Sequence, residues 1–415
     1  MKAMKLDMEF VRRQFPQLQD EPEFVFCGNA GGSYVAQAVI DSLDHYNRHL
    51  RVQPYSPYPS SRSAGQAMDR ARTGWSQALN IGENELTIGP STSMNSYVMA
   101  QALGADWGPG DEIVVTQQDH EANHGVWRRK AEAQGALVRE WPVDPETGLL
   151  DPDALFPLLN ERARWVFFTH CSNIIGTVNP VAKTVSGIRQ RCGARVCVDA
   201  VAYAPHHIAD MKALDVDIYM FSLYKVFGPH QGLMYLRAEL QESMQPQSHY
   251  FIQGDSHKRF NPAGPQHAQV AACQGVLDYF AAVHRHHGGS ESVSVTAMMQ
   301  SVHAMTASHE ARLAAPLIDY LAHAPRVRLL GKTHCRDGDR AATIAFQPQD
   351  KSAGDVATAL QARGIGAERG HFYAHRLMTS LGIDPADGVV RISLVHYNTG
   401  AEVDRILVAL EQALQ

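Results

Sequence analysis

Long apolar runs are missing from this sequence. No stretch approaches the roughly 18 uninterrupted apolar residues of a membrane-spanning helix, and the N-terminus has no apolar segment of signal-peptide length. No block of lysine and arginine is present either, and the net charge is −6. Because a basic stripe is the usual footprint of nucleic-acid binding, a nucleic acid is a poor partner prediction. We therefore expect a soluble, cytoplasmic protein that does not bind membranes and acts on a small molecule.

Cysteine motifs are also missing. The six cysteines are scattered and include no CxxC pair. This spacing argues against both a zinc ribbon and a disulfide scaffold. We expect the thiols to be reduced and mostly buried. Internal repeats and low-complexity tracts are absent as well.

Alternating strand and helix patterns fill the chain between about Glu85 and Arg237. Seven short apolar runs alternate there with helical patterns, which is typical of βα units that build one sheet with helices on both faces. The expected buried strands are ELTIG (85–89), EIVVT (112–116), ALVREW (136–141), RWVFFT (164–169), RVCVD (195–199), IYMFS (218–222) and GLMYLR (232–237). The sequence therefore predicts an α/β fold with a mainly parallel seven-stranded sheet.

The pattern changes after residue 240. Residues 241–265 lose periodicity and gain proline, glycine and histidine, which predicts a long surface loop. Beyond it, helices are expected near 266–285 and 291–323, and strands near 341–346 and 389–394. Thr399 and Glu402 form a possible capping box at the start of an amphipathic last helix.

Two unequal domains are expected. A chain of 415 residues with 45% hydrophobic content is too long for one compact core and has enough apolar surface for two. We place an N-terminal segment that packs with the small domain at 1–20. The large domain would cover 21–265, and a smaller α+β domain would cover 266–415.

Two side chains with complementary chemistry follow predicted strands. Asp199 ends one strand, and Lys225 lies just beyond another, three residues after Ser222. Ligands of α/β sheets bind outside the carboxyl ends of the strands, so both side chains would reach the same crevice. Pyridoxal 5′-phosphate (PLP) chemistry needs such a pair, a lysine that carries the cofactor as a Schiff base and a carboxylate that keeps the pyridine nitrogen protonated. Taken singly, such an aspartate more often caps a helix and such a lysine is more often solvated.

Flanking motifs argue against the simpler explanation that Asp199 only caps a helix and Lys225 is only a solvated lysine. APH (204–206) follows the aspartate and GP (228–229) follows the lysine. With them, the stretch 198–237 closely resembles class V aminotransferases, the family of cysteine desulfurases, kynureninase and isopenicillin N epimerase. The resemblance covers nearly the whole chain. It implies a PLP-dependent enzyme of fold type I, on the cysteine-desulfurase-like branch, with the cofactor on Lys225.

The resemblance extends to segments that would hold the cofactor. In GPSTSMNS (89–96), Ser91 and Thr92 precede a helix, where backbone N–H groups favour a phosphate. The family has its phosphate cup there, and Ser222 would add to it. A Ser/Thr cluster before a helix is, by itself, more often only a cap.

Two further side chains receive roles from the same resemblance. QQDHEANHGVW (117–127) implies that His120 stacks on the pyridine ring. HCSNIIGTVNP (170–180) implies that Asn173 contacts the phenolic oxygen of the cofactor, although a Gly-containing turn can also form without a ligand.

A last segment resembles the substrate-binding part of the family. VRISLVHYNTG (390–400) contains Arg391, which would receive the α-carboxylate of an amino-acid substrate in a bidentate fork. Its simpler interpretation is an ordinary exposed arginine.

The segment around His120 also supports a rival hypothesis. His120, Glu121 and His124 form a literal HExxH, the motif of zinc metalloproteases. Such enzymes need the motif inside a helix and a third ligand beyond it, whereas here it follows a predicted strand. A non-catalytic PLP-binding protein is the other alternative.

Departures from the family pattern bear on the reaction. The loop GHFYA (370–374) has Tyr373 where one branch of desulfurases has its nucleophilic cysteine, so we expect no cysteine desulfurase activity. Ala202 replaces the usual Gln or His beside the cofactor, and Tyr224 replaces a frequent His before the lysine.

Another departure affects a contact between subunits. Pro265 replaces a threonine that would touch the phosphate from the partner subunit, and proline offers neither a hydroxyl nor an N–H. The contact would then fall to Gln266, His267 or the backbone, or be lost. The resemblance implies a homodimer with its site at the interface.

The expected reaction starts from an α-amino acid held by Arg391, with Lys225 as general base near neutral pH. We favour β-elimination of the C–S lyase type, or transamination, on a modified amino acid. Racemisation and decarboxylation differ from these by a few side chains around the substrate and stay open.

Overall fold

The computed structural model describes residues 5–335 and 338–415. Within these residues the strands are β1 Val25–Phe26, β2 Leu86–Gly89, β3 Glu112–Thr116, β4 Leu137–Trp141, β5 Ala163–Thr169, β6 Arg195–Asp199, β7 Ile218–Ser222, β8 Gly232–Leu236, β9 Val327–Leu329, β10 Thr343–Pro348, β11 Ile365–Gly366, β12 Glu368–Gly370 and β13 Val389–Ser393.

The helices of the same residues are α1 Met8–Arg13, α2 Gln17–Asp20, α3 Gln37–His45, α4 Pro59–Leu79, α5 Thr92–Leu103, α6 Gly125–Gln134, α7 Pro152–Leu155, α8 Val181–Arg189, α9 Met211–Leu214, α10 Ala238–Ser243, α11 His267–His286, α12 Val295–His323, α13 Ala353–Gln361, α14 His375–Ser380 and α15 Gly400–Leu414. None of them combines the length and the apolar character that a helix needs to cross a bilayer.

A seven-stranded sheet forms the centre of the molecule. Its strand order is β2-β8-β7-β6-β5-β3-β4, and β8 alone runs antiparallel to its neighbours β7 and β2. This sheet confirms the α/β fold, and each of its strands overlaps one of the seven predicted runs. The expectation of burial is wrong for β4, because that strand lies at the sheet edge and Leu137 is 49% exposed.

Alternate residues of the central strands pack on opposite faces of this sheet. Ile113 and Val115 lie in one apolar cluster with Trp127 of α6. Val114, between them, belongs to a second cluster that includes Val185 of α8. Because helices cover both faces, the ends of the strands are the places where a ligand can reach the sheet.

A second, smaller sheet has the strand order β12-β13-β10-β9 and is antiparallel. The end of α12 and the helices α13 and α15 cover it and form a separate apolar core. The predicted capping box is present at the start of α15, where Thr399 and Glu402 bond each other's backbone. Strand β1 reaches this part of the molecule by pairing in parallel with β11.

The packing of two segments bears on the predicted domain boundaries. Helix α11 packs on α3 and α4, and its apolar face joins the core of the large sheet. In α1, Arg12 donates to the carbonyl of Tyr397 at 2.9 Å and to Glu402 at 2.8 Å. The boundaries at 20/21 and 265/266 stay predictions, and residues 1–4 of the N-terminal segment lie outside the described residues.

Candidate active site

A cavity opens at the carboxyl ends of the parallel strands and encloses about 440 Å³ of empty space, which includes open solvent. The start of α5, the turn after β3, and the ends of β5, β6 and β7 with the turns after them form its wall. Its lining residues are Thr92, Ser93, His120, Ala122, Thr169, Cys171, Asn173, Asp199, Val201, Ala202, Ser222, Tyr224 and Lys225. Six of the eight predicted site residues therefore share one cavity, and Ser91 and Arg391 lie outside its wall.

Lys225 is the cation of this cavity. It ends a short 3₁₀ turn, Leu223–Lys225, that continues directly from β7, and it is 6% exposed. Burial, and next the positive charge of Arg391, lowers the pKa of its amine to about 8, while Asp199 opposes that shift. A substantial neutral fraction of this amine is therefore present near neutral pH.

Asp199 faces the same cavity from the end of β6. The N–H of Val201 donates to its Oδ1 at 2.8 Å. Burial raises the pKa of the carboxyl to about 6, although this hydrogen bond and the charge of Lys225 both lower it. Because burial disfavours the charged form of Asp199, a cationic group bound in the cavity would stabilise the carboxylate.

His120 forms another wall of the cavity. Its Nδ1 accepts the N–H of Ala122 at 3.0 Å. Burial, followed by the charges of Lys225 and Arg391, lowers its pKa to about 4. The ring is therefore neutral at pH 7 with its hydrogen on Nε2, and such a ring can stack on an aromatic ligand.

The N-terminus of α5 lies against the end of β7. The Thr92 N–H donates to Ser222 Oγ at 3.3 Å, and the two hydroxyls lie 2.7 Å apart. Gly232 of β8 allows this approach, because a Cβ there would lie 2.3 Å from the Ser91 carbonyl carbon. Ser91 itself caps the helix by accepting the Met94 N–H at 3.2 Å.

Ser91 and Ser93 differ in position at the start of this helix, and the phosphate role expected of Ser91 stays a prediction. The Ser91 hydroxyl is used in the cap, whereas Ser93, two positions on, lines the cavity. The sequence pattern gave no reason to choose Ser93, since either side chain could lie at the start of the helix. Hydroxyl and N–H groups gather here at a positive helix end, an arrangement suited to an anion.

Asn173 and Arg391 connect the cavity to the smaller sheet. Arg391 lies on β13, is 2% exposed, and donates to the backbone carbonyl of Asn173 at 3.0 Å. The Asn173 side chain donates to the carbonyl of Phe372 at 2.9 Å. The centroid of the Phe372 ring lies 3.6 Å from the guanidinium carbon of Arg391. The interpretation of Arg391 as an ordinary exposed arginine is therefore wrong.

The loop 370–374 lies beside the cavity, although none of its residues is part of the lining. The rings of Tyr373 and His120 lie 5.1 Å apart, and the Glu121 N–H donates to the Tyr373 carbonyl at 2.8 Å. Phe372 and Tyr373 have φ values of 45° and 62°, a left-handed conformation that is strained for such residues. Tyr373 thus has a phenol ring beside His120, at the loop position where the resemblance to desulfurases implied a cysteine.

Cys171 also lines the cavity, although no motif in the sequence indicated it. It follows β5, and its thiol donates to the carbonyl of Gly176 at 3.4 Å. Burial raises the pKa of the thiol to about 12. Its position after a strand end, two residues before Asn173, was the available signal.

The departures at Ala202 and Tyr224 also lie in the cavity wall. The Tyr224 ring stacks on His230, with centroids 4.9 Å apart and an interplanar angle of 8°. Ala202 leaves one side of the cavity without a polar group at that position. Both departures from the family pattern therefore lie in the wall of the candidate site.

The HExxH residues do not form a zincin helix. Residues Glu121–Asn123 form a 3₁₀ turn, and α6 begins at Gly125. The Nε2 of His124 lies 3.5 Å from Glu140, whereas His120 faces the cavity. Within residues 5–335 and 338–415, no group of three histidine, cysteine or acidic residues is arranged to hold a metal ion.

Comparisons with known proteins agree with this arrangement. A sequence model of the family described as Aminotransferase class-V matches residues 25–406. The aminotransferase-like protein FGM3 of Gibberella zeae is 35% identical, and the match covers 100% of both chains. The cysteine desulfurase-like protein ustD of Aspergillus flavus is 29% identical over 96% of this chain and 88% of its own.

Solved structures show the same relationship. The cysteine desulfurase CsdA of Escherichia coli matches with a TM-score of 0.82 and 26% identity over 98% of each chain. A cysteine desulfurase of Thermococcus onnurineus shares the fold, with a TM-score of 0.83 and 22% identity over 100% of this chain and 99% of its own. The family match overturns the zinc-metalloprotease hypothesis. The chain belongs to the class V aminotransferases, a family of PLP-dependent enzymes of fold type I.

Proposed function

We propose that this protein acts at Cα or Cβ of an α-amino acid, by β-elimination of the C–S lyase type or by transamination, with PLP bound through Lys225. One observation carries the proposal. Lys225, Asp199 and His120 face a single cavity from three different parts of the fold. Burial shifts the pKa of each side chain in the direction that favours its neutral form. Perturbed titratable groups that converge in a cleft are typical of a catalytic centre.

The residues of the cavity fit PLP at each end. The α5 N-terminus with Thr92 and Ser222 offers N–H and hydroxyl groups to the phosphate. Asp199 would accept a hydrogen bond from the protonated pyridine nitrogen, and the neutral ring of His120 would cover one face. When bound, PLP acts as an electron sink for the substrate carbon attached to the amino group.

Lys225 is the group that would move protons at the substrate. A lysine with a pKa of about 8 is neutral often enough near pH 7 to accept a proton from Cα. The buried carboxylate of Asp199 stabilises a positive charge on the bound ring and is thereby compensated for its own desolvation. Arg391 would bind the substrate carboxylate and so orient one Cα bond for cleavage.

We further propose that the protein is not a cysteine desulfurase. The loop 370–374 presents Tyr373 beside His120, and a phenol cannot carry a persulfide sulfur. The cavity does contain a thiol, Cys171, but burial raises its pKa to about 12. Because the thiolate is the nucleophilic form, this cysteine is a poor sulfur acceptor.

A homodimer is part of the proposal. The connection at 241–265 carries Tyr250 and Phe251, which are 85% and 70% exposed. Adjacent exposed aromatic side chains are enriched at protein interfaces. The cytoplasmic location expected from the sequence stays a prediction.

The test is reductive trapping of the cofactor. Purified protein saturated with PLP and treated with borohydride should yield a pyridoxyl-labelled peptide that contains Lys225. Lys225→Ala should lose both the label and turnover of any amino acid that alters the cofactor absorbance. The exposed Lys258 provides a matched control, Lys258→Ala, which should keep both.

Three results would contradict the proposal in different ways. Full turnover in Lys225→Ala would exclude the assigned lysine. A label on Lys225 without a spectral response to any amino acid would favour a non-catalytic PLP-binding protein. Persulfide formed on this chain from L-cysteine would reinstate a desulfurase.

A further inference from the structure

The guanidinium of Arg391 already holds a carboxylate. Its NH2 donates to Glu368 Oε2 at 2.5 Å, and its NH1 donates to the carbonyl of Asn173. The Nε has no hydrogen-bond partner among the described residues, although it is buried. The cation is therefore compensated by Glu368 while one of its donors stays unused.

Glu368 is held opposite Arg391 by the register of the small sheet. The two residues are direct partners across the antiparallel pair β12 and β13, so their side chains lie on the same face. The carboxylate also lies under the turn that starts at Gly28, where a Cβ would approach its Cδ to 3.2 Å. Glycine at positions 28 and 31 leaves room for this carboxylate.

The two partners differ in their freedom to move. Arg391 has a side-chain exposure of 2%, and the Phe372 ring covers one face of its guanidinium. Glu368 has a side-chain exposure of 42%. Glu368 therefore has solvent to rotate into once another carboxylate takes its place on the cation, whereas the buried arginine has none.

A carboxylate binds a guanidinium most strongly through two parallel N–H bonds from adjacent nitrogens. Asn173 takes one donor of NH1 and Glu368 takes one donor of NH2. The unused Nε can bind a carboxylate in a bidentate way only together with one of the two terminal nitrogens, and both of these already have a partner. A substrate carboxylate that uses such an edge would lie next to the Glu368 carboxylate, and two like charges on one cation repel.

We infer that Glu368 occupies, in the free enzyme, a place on Arg391 that the substrate carboxylate needs, so that it competes with the substrate from within the chain. This inference rests on the proposed role of Arg391 as the carboxylate site. Glu368 keeps the buried cation paired before substrate arrives and moves toward solvent on binding. It lowers the affinity for carboxylates and selects against a substrate with a second negative charge near the first.

The experiment measures carboxylate binding without turnover. Propionate is titrated against the PLP-loaded protein by saturation-transfer NMR, with the neutral propionamide as a second probe. Glu368→Gln keeps the shape of the side chain and an oxygen acceptor but removes the charge. We expect the propionate dissociation constant to fall by about fivefold, as for removal of one repulsive pair of partly exposed charges, and that of propionamide to stay constant.

Three matched variants complete the design. Glu368→Ala should act in the same direction as Glu368→Gln, and it keeps the test available if the latter fails to fold. Glu161→Gln removes an exposed negative charge before β5 and should have no effect. Arg391→Gln should weaken propionate binding both in the wild type and in the Glu368→Gln variant.

The outcomes separate the inference from the function on which it rests. An unchanged or raised propionate dissociation constant in both Glu368 variants overturns the inference, and a raised value would make Glu368 only a positioning residue for Arg391. Unchanged propionate binding in Arg391→Gln overturns the carboxylate role of Arg391 and the inference with it. Neither result affects the borohydride label on Lys225, which tests the cofactor site alone.

Discussion

Lys225 and Asp199 lie in one cavity because their strands, β7 and β6, are hydrogen-bonded neighbours that end at the same edge of the sheet. The charge of each favours the charged form of the other, yet burial dominates both. Each group is thus held near a pKa at which its charge can change at moderate pH. Two oppositely charged groups with this property are what a Schiff-base cofactor with a protonated ring nitrogen requires.

Asp199→Asn should stabilise the apoprotein and impair the enzyme. The folded pKa of about 6 lies above the ordinary value of 3.8, so the stability that this carboxyl contributes is lost as pH rises from about 4 to about 6. An uncharged amide avoids that loss. At pH 7 the free energy of unfolding of the apoprotein should rise by about 2 to 3 kcal/mol, measured by urea denaturation, while turnover falls at least about a hundredfold.

A buried aspartate with a structural role provides the control. Asp217 accepts the Val196 N–H at 2.7 Å and pairs with Arg189 at 2.7 Å. Asp217→Asn should therefore destabilise the apoprotein. Equal destabilisation by both substitutions would contradict the assignment of Asp199 as a carboxylate kept for the cofactor.

Covalent capture of PLP by the apoprotein should depend on pH through Lys225. Only the neutral amine attacks the aldehyde, so the rate should rise about tenfold per pH unit below pH 8 and level off above it. Stopped-flow absorbance measures this rate. Because the charge of Arg391 lowers the pKa of Lys225, Arg391→Gln should move the midpoint to higher pH. A wild-type midpoint near the ordinary lysine value of 10.5 would refute the buried-amine account.

Ser222→Ala should weaken PLP binding without unfolding the protein. The hydroxyl of Ser222 accepts the Thr92 N–H and faces the helix end where the phosphate would bind. Loss of one hydrogen bond to a charged group should raise the PLP dissociation constant by about tenfold, as followed by tryptophan fluorescence. Ser96→Ala removes a buried hydroxyl of the same helix, which donates to the Thr92 carbonyl, and should change the constant by less than about twofold.

The chain should acquire no sulfur atom from L-cysteine. Intact-mass spectrometry of wild-type protein after incubation with PLP and L-cysteine should show no persulfide, because Tyr373 has no thiol and the pKa of Cys171 is raised to about 12. Cys171→Ser should give the same result. Tyr373→Cys would place a thiol beside His120, and a persulfide in this variant alone would support the proposed reason for the difference.

Contacts over short sequence distances were predictable. The runs at 195–199 and 218–222 are β6 and β7 without a shift, because continuous apolar runs bounded by polar residues are typical of buried parallel strands. The capping box of Thr399 and Glu402 could also be predicted, because its two residues are three positions apart. The edge position of β4 was not, because a run of alternating apolar residues looks the same at the centre and at the edge of a sheet.

Contacts between distant segments were not predictable from residue patterns. Asn173 and Phe372 are 199 positions apart, and Asn173 and Arg391 are 218 positions apart. Their hydrogen bonds exist only because the smaller sheet packs against the carboxyl ends of the larger one. No local pattern indicates which partner a buried arginine will have, so the pairing with Glu368 could not be expected.

The sequence by itself determined the α/β sheet, the lysine and aspartate at its strand ends, and the membership in a PLP-dependent family, because strand patterns and cofactor residues are encoded within short segments. The tertiary structure alone decided that Ser93 and Cys171 line the cavity and that Glu368 pairs with Arg391. The reason is physical: burial and partner choice depend on how two separate cores pack together, and the free energy of that packing is spread over residues far apart in the chain.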